Sequence, residues 1–165
     1  MPLPTLYQTQ IASPLGAVLL AAADTGLAGV WFVQDQAHLP DHSGWQTHDQ
    51  HPILLTTAEQ LTAYFNGQRQ TFDLNLATCW GTPFQRRVWQ ALMRIPYGQT
   101  THYGLIARAI GNPKAVRAVG AAIGRNPHSI VVPCHRVLGA QGALTGYAGG
   151  LSRKHFLLQH ESSHT

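Results

Sequence analysis

Cysteine is scarce: the 165 residues hold two, Cys79 and Cys134. Two cannot make a disulfide framework, which points to a reducing compartment. Charge is scarce as well, 11% of residues against 44% hydrophobic, and that balance excludes a disordered chain. Long apolar runs are missing. Residues 16–23 resemble the core of a secretory leader but are far too short to span a bilayer. No Lys or Arg precedes them, the first being Arg69. A cytoplasmic protein without a membrane partner is the expectation.

Each half of the chain lacks charge of one sign. Residues 1–80 hold six acidic residues against Arg69 alone, a net charge of −5; residues 81–165 hold ten Lys/Arg against Glu161 alone, a net charge of +9. The split predicts two domains, 1–80 and 81–165, the second facing a polyanion. Nine uncompensated positive charges repel one another when no partner is present.

The first half reads as sheet, then helix. Residues 6–11, 17–22 and 27–33 are strands joined by Ser13-Pro14-Leu15-Gly16 and Asp24-Thr25-Gly26 turns, hence antiparallel hairpins. Residues 34–52 form a polar loop with His38, His42, His48 and His51, where no cysteine or carboxylate stands at a recognisable ligand spacing. No metal is expected. Leu54, Ala58, Leu61 and Phe65 recur at helical spacing before Gly67, and 71–76 reads as a last strand.

In the second half, Thr82 and Pro83 are a good N-cap and first helical residue for a helix carrying Phe84, Val88, Leu92 and Ile95 on one face. Two short helices follow, 101–110 capped by Thr100 or Thr101 and 114–123, broken by Gly111-Asn112-Pro113. A helix-turn-helix fits this pattern, and so does a plain helical hairpin. The second helix is rich in small residues, with Arg117 the one long side chain near its middle. It suits close approach to a narrow groove and insertion of one residue rather than base reading in the major groove.

Residues 130–137, Ile-Val-Val-Pro-Cys-His-Arg-Val, read as a buried extended segment. A thiol attacks as thiolate, a minor species at neutral pH unless an imidazole, a helix N-terminus or a cation such as Arg136 lies near. A structural cysteine beside a surface histidine fits the pair as well. Glu161 ends a last helix capped by Ser152, on which Phe156, Leu157 and His160 pack inward. It could hold His135 for base work or pair with any arginine.

These motifs resemble the O6-alkylguanine-DNA alkyltransferases. The residues that carry the likeness are Gly-Thr-Pro-Phe-Gln at 81–85, Pro-Tyr-Gly at 96–98, Tyr103, Gly-Asn-Pro-Lys at 111–114, Arg-Ala-Val-Gly at 117–120, Asn126-Pro127, Val-Pro-Cys-His-Arg at 132–136, Gly-Tyr-Ala-Gly-Gly at 146–150 and the ending at Glu161. The first half matches more loosely, through Ser13-Pro14-Leu15-Gly16 and Ala63-Tyr64-Phe65-Asn66-Gly67. The resemblance implies an α/β chain. It would have a small ribonuclease-H-like α/β domain, then a mainly helical, winged-helix-type DNA-binding domain. It implies irreversible, stoichiometric transfer of an alkyl group from O6-alkylguanine in double-stranded DNA to Cys134, with O4-alkylthymine a second candidate lesion and no cofactor. By position, His135 activates the thiol through a water, Glu161 orients it and Asn126 is the hinge. Tyr103 drives the nucleotide out, and Arg117 takes its place. Thr101, Lys114, Ala118, Gly120, Ala121 and Arg125 are the further DNA contacts; Tyr147, Ala148, Val137 and Trp89 line the pocket. Ala148 stands where many members have serine, which leaves one hydrogen bond to the base oxygen open. A monomer in solution is expected, with clustering on DNA an open alternative. A thiol hydrolase and a non-reactive DNA-binding module are the readings from other classes.

Overall fold

The computed structural model describes residues 4–165, so residues 1–3 of the expected 1–80 domain lie outside it. The expected hairpins are there. β1 (Tyr7–Ile11), β2 (Val18–Ala23) and β3 (Gly26–Phe32) pair antiparallel, and β4 (Gln46–Thr47), from within the polar loop, adds parallel to β1. Among the described residues the sheet order is β3-β2-β1-β4.

Every residue of β2 and β3 is buried, because side chains alternate between two covered faces. Val18, Leu20, Ala22, Val30 and Phe32 meet Leu54, Leu61 and Tyr64 of α1 (Pro52–Phe65) and Leu157 of α5 (Leu151–Ser163). Leu19, Ala21, Ala28 and Trp31 face the other way, towards Leu6 and Ala77, with Trp45, Cys79 and Trp80 partly buried against them. His51 caps α1, its ring accepting from the Ile53 N–H at 3.2 Å. Gly67, at φ 73°, closes the helix in the left-handed region that glycine adopts without strain.

The second half is helical. α2 (Pro83–Leu92) starts in a capping box: the Thr82 hydroxyl accepts from Gln85 N, and the Gln85 side chain accepts from Thr82 N. α3 (Tyr103–Ala109) and α4 (Val116–Gly124) pack with α2 around Val88, Leu92, Ile106, Val119 and Ile123. A two-residue parallel pair, β5 (Thr101–His102) with β6 (Val137–Leu138), ties the start of α3 to the segment after Cys134.

Several expectations are corrected. Residues 71–76 make a single bridge, Leu27 with Leu76, rather than a strand. The Gln60 side chain holds both the N–H and the carbonyl of Asp73, which occupies the backbone groups a ladder would use. Residues 130–137 are buried but not extended. Ile130 stands at φ 71°, unusual for a β-branched residue, and Cys134–Arg136 form a 3-10 turn. Thr101 belongs to β5, and α3 begins after His102 with no side-chain cap. Lys114 precedes α4, which starts at Val116. Ser152 is inside α5, whose N-cap is Gly150, and the helix runs past Glu161 to Ser163. Among the described residues no helix is long and apolar enough to cross a membrane.

The two halves are stitched by backbone. Val30 N–H donates to Pro127 O at 2.8 Å and Ser129 N–H to Val30 O at 3.1 Å. Between them the buried His128 ring bonds Leu27 O through Nε2 at 2.8 Å. Burial pulls the His128 pKa down to about 4, although that bond favours the protonated ring. An unfolded histidine takes up its proton near pH 6.5 while the folded one does not, so the unfolded state gains on acidification. Stability is therefore expected to fall between about pH 6.5 and 4, by about 3 kcal/mol from this group. His128→Gln, which cannot titrate, should flatten that decline in urea unfolding measured across the same pH range.

Candidate active site

Cys134 is 4% exposed and sits at the start of the 3-10 turn, in the apolar cluster that also holds Trp89, Val132 and Val137. Tyr103 and Tyr147 pack partly buried against the same cluster. Asn126 organises the approach to it. Its Nδ2 reaches Val132 O at 3.0 Å and Cys134 Sγ at 3.2 Å, and its Oδ1 accepts from His128 N at 2.9 Å. One side chain thus folds the loop back over itself and donates to the sulfur.

His135 is fully buried, and its Nε2 lies 2.7 Å from Glu161 Oε2. Arg136, expected beside the thiol, turns to the same carboxylate. Its Nε donates to Oε1 at 2.7 Å, Nη2 to Oε2 at 3.0 Å and Nη1 to Ile95 O at 2.7 Å. Tyr64 Oη, from α1, donates to Oε2 at 2.7 Å. Both readings of Glu161 therefore hold at once: it anchors the imidazole and pairs with an arginine. Burial alone would raise its pKa. The hydrogen bonds from His135, Arg136 and Tyr64 outweigh burial and hold it far below the carboxylate range. An ionised Glu161 only accepts, so a neutral His135 presents Nε2–H to it and keeps its lone pair on Nδ1. Burial lowers the His135 pKa against the pull of Glu161, which keeps the ring neutral. Nδ1 is buried without a partner among the described residues, a base with its lone pair unused.

At rest the thiol is protonated. Burial pushes Cys134 up to about 11, against the Asn126 hydrogen bond and the charge of Lys154. Lys154 escaped the sequence reading. It is fully buried and donates to Val137 O and Thr145 O at 2.6 Å and Gly146 O at 3.3 Å, which fixes the glycine-rich loop. Burial brings it down to about 8, with the charge of Cys134 acting the other way. Its signal was the spacing 154, 157, 161, one buried stripe of α5.

The DNA candidates share a face. Arg117, Ala118, Ala121 and Arg125 are exposed along α4 while Val119, Ala122 and Ile123 face the core. Lys114 is exposed just before the helix, Thr101 is half-buried, and Gly120 lies against Tyr103, whose ring carbons would be 3.8 Å from an added Cβ. Five of the ten basic residues of this half are engaged internally. Arg86, Arg87, Arg136, Arg153 and Lys154 all donate to protein acceptors. Arg94, Arg108, Lys114, Arg117 and Arg125 are exposed. Trp89 donates its indole N–H to Ala122 O at 2.8 Å, which joins α2 to α4. It also lines a groove of about 310 Å³ with Trp31, Trp80 and Arg125. Ala148 O accepts from Ala37 N at 2.7 Å, so the pocket loop is tied to the loop after β3. Among the described residues no group of three or more His, Cys, Asp or Glu is placed to hold a metal. His42 instead pairs with Gln8 at 2.9 Å.

The family model for the 6-O-methylguanine DNA methyltransferase DNA-binding domain matches residues 83–163, and that for the ribonuclease-like domain of the same proteins matches 6–78. The chain belongs to the methylated-DNA-protein-cysteine methyltransferase family. A member from Methanosarcina acetivorans is 48% identical over 96% of this chain and 99% of its own. One from Mycolicibacterium paratuberculosis is 50% identical over 96% and 93%. The crystal structure of the Mycobacterium tuberculosis O6-methylguanine methyltransferase superposes with a TM-score of 0.88 at 44% identity, covering 98% of this chain and 95% of that one. A Mycobacterium tuberculosis OGT structure in complex with DNA gives 0.87 at 44%, over 96% and 94%. The mixed-sheet first half and helical second half are thus the ribonuclease-like and DNA-binding parts of a methyltransferase of this family.

Lys154→Met keeps an apolar stem but leaves the carbonyls of Val137 in β6 and of Thr145 and Gly146 in the loop without this donor. It should cost about 2–4 kcal/mol in urea unfolding. It should also slow the reaction of Cys134 with iodoacetamide at mildly alkaline pH, because the cation that favours the thiolate is gone.

Proposed function

We propose that this protein repairs double-stranded DNA by moving the alkyl group of O6-alkylguanine onto Cys134, once per molecule and without a cofactor. The observation that carries the reading is the two buried bonds, Asn126 to Cys134 and His135 to Glu161, held on adjacent residues of one 3-10 turn in a chain of this family. The lesion carbon hangs on O6 inside the base stack, so the nucleotide must leave the stack before sulfur can reach it. Arg117 stands exposed on α4, where it can fill the space left behind. Ala118, Gly120 and Ala121 let the helix backbone approach the groove, and Lys114, Arg125 and Thr101 face phosphates. The division at residue 80 separates a supporting first domain from this DNA-facing second one. The protein works as a monomer in the cytoplasm.

The flipped base enters between Tyr147, Ala148, Val137 and Trp89. The Cys134 proton passes through a bridging water to Nδ1 of His135, and the imidazolium is stabilised by Glu161. The sulfur attacks the alkyl carbon in line as its bond to O6 breaks. The electron pair goes to guanine, which departs with a proton supplied from Tyr103, and the imidazolium proton restores the phenol through water. The thiol at about 11 explains why this needs a base. Once formed, the thioether is a carbon–sulfur bond with no good leaving group, so the site is spent.

With methylated duplex in excess, product should stop at about one per protein, and intact mass should show one added methyl on Cys134. Cys134→Ser should give neither. Continued linear product formation would point to a thiol hydrolase instead.

Arg117→Ala should slow repair of duplex DNA by roughly ten- to a hundredfold, since base extrusion involves a few kcal/mol. Reaction with free benzylguanine, which needs no extrusion, should barely change. Single-turnover rates on the two substrates check this, and equal losses would remove the wedge role.

A further inference from the structure

Tyr64 is fully buried in the first domain, in a cluster of Leu54, Leu61, Phe32 and Leu157. A hydroxyl in such a place is costly unless it is bonded, and phenylalanine would fill the volume. Its partner is not a nearby carbonyl of α1 but Glu161 Oε2, 97 residues on, at 2.7 Å. The same oxygen receives His135 Nε2 at 2.7 Å. The link is doubled one residue earlier, where His160 Nε2 donates to Tyr64 O at 2.7 Å. Tyr97 is a useful contrast. It lies beside Tyr64, with ring centroids 6.2 Å apart, and Arg136 stands over its ring, yet its hydroxyl has no partner among the described residues. Proximity to the cluster is therefore not enough to engage a tyrosine.

We infer that Tyr64 is a positioning residue for alkyl transfer, acting on Cys134 through Glu161 and His135, so that the first domain takes part in the reaction. This rests on the function proposed above. Arg136 already balances the Glu161 charge, and Tyr64 adds a donor without adding charge. It holds Oε2 where Nε2–H can meet it and draws electron density from that oxygen. The groups facing His135 and Glu161 are Arg136 on the 3-10 turn, Lys154 on α5, Tyr97, Tyr147 and Tyr64 itself. Of these, Tyr64 is a neutral donor bonded to the shared oxygen. Without it, Oε2 becomes a stronger acceptor for an imidazolium, so His135 holds a proton to higher pH. The carboxylate also loses one of its fixings.

The test is the single-turnover rate of methyl transfer from an O6-methylguanine duplex against pH, for wild type, Tyr64→Phe, Glu161→Gln and the double variant. Tyr64→Phe should lower the plateau rate roughly three- to tenfold and move the acid limb upward, with DNA affinity unchanged. In the Glu161→Gln background it should have no further effect. A folded Tyr64→Phe with wild-type plateau and acid limb overturns the inference, and so does an equal further loss in the Glu161→Gln background. Difluorotyrosine at position 64, a stronger donor, should move the acid limb the opposite way, which covers the case of a poorly folded phenylalanine variant. Nitrogen NMR of His135 reads the same shift without activity. If the wild type transfers no methyl, the proposed function fails, while the NMR titration still decides on Tyr64.

Discussion

A single buried carboxylate organises the molecule. Glu161 is 1% exposed, and removing an ion that far from water costs several kcal/mol unless its lone pairs are filled. They are filled from three directions. Arg136 Nε binds Oε1, while Arg136 Nη2, His135 Nε2 and Tyr64 Oη crowd onto Oε2. The donors arrive from α1 of the first domain and from the turn that starts at Cys134, and Arg136 extends the set to Ile95 after α2. None of these elements can shift without leaving the charge exposed to an apolar interior. The imidazole inherits its direction from that requirement, and so does the sulfur next to it in the chain.

The approach to the cysteine is determined in the same way, by polar groups that have no other outlet. Asn126 closes the loop with bonds to His128 N, Val132 O and the sulfur. His128 passes the constraint to the first domain through Leu27 O, and the Val30 bonds on either side lock the register. Ile130 is left at φ 71°. Such a conformation costs about 1–3 kcal/mol, and it persists because the bonds around it leave the chain no alternative. The first domain thus contributes to the second at two points, the loop before the cysteine and the carboxylate beyond it.

Much of this was legible in the residues. The alternating strands, the Thr82 cap and the inward stripe of α5 follow from local pattern, and Cys134, His135 and Glu161 follow from motif. What escaped depends on long-range satisfaction. The apolar run 130–137 resembles a strand in composition, but Asn126 and the cysteine turn claim its backbone groups. Residues 71–76 resemble an edge strand, and one glutamine side chain is enough to take Asp73 out of the ladder. Arg136 stands two residues from the thiol in sequence, but the buried carboxylate exerts the stronger pull on it. Tyr64 gave no sign of chemistry in a helix whose other apolar residues simply pack. Its hydroxyl partner, 97 residues away, marks it as more than another packing residue.

The resting state of the thiol follows from these constraints and bears on specificity. A cysteine that is consumed by its reaction is best kept unreactive until the right carbon is in place. Cys134 is 4% exposed and its pKa stands at about 11, so stray electrophiles in water meet a protonated, covered sulfur. The groups that oppose this, Asn126 and the Lys154 charge, are already in position, and His135 offers an unused lone pair. In the function proposed above, a base seated against Tyr147 brings its alkyl carbon to the sulfur that Asn126 bonds and the Lys154 charge favours as thiolate. Under that proposed function, discrimination between damaged and undamaged DNA rests on whether a carbon is presented to the sulfur. In that proposal the exposed cations of α4 and its neighbours hold either duplex through phosphate, which is the same in both.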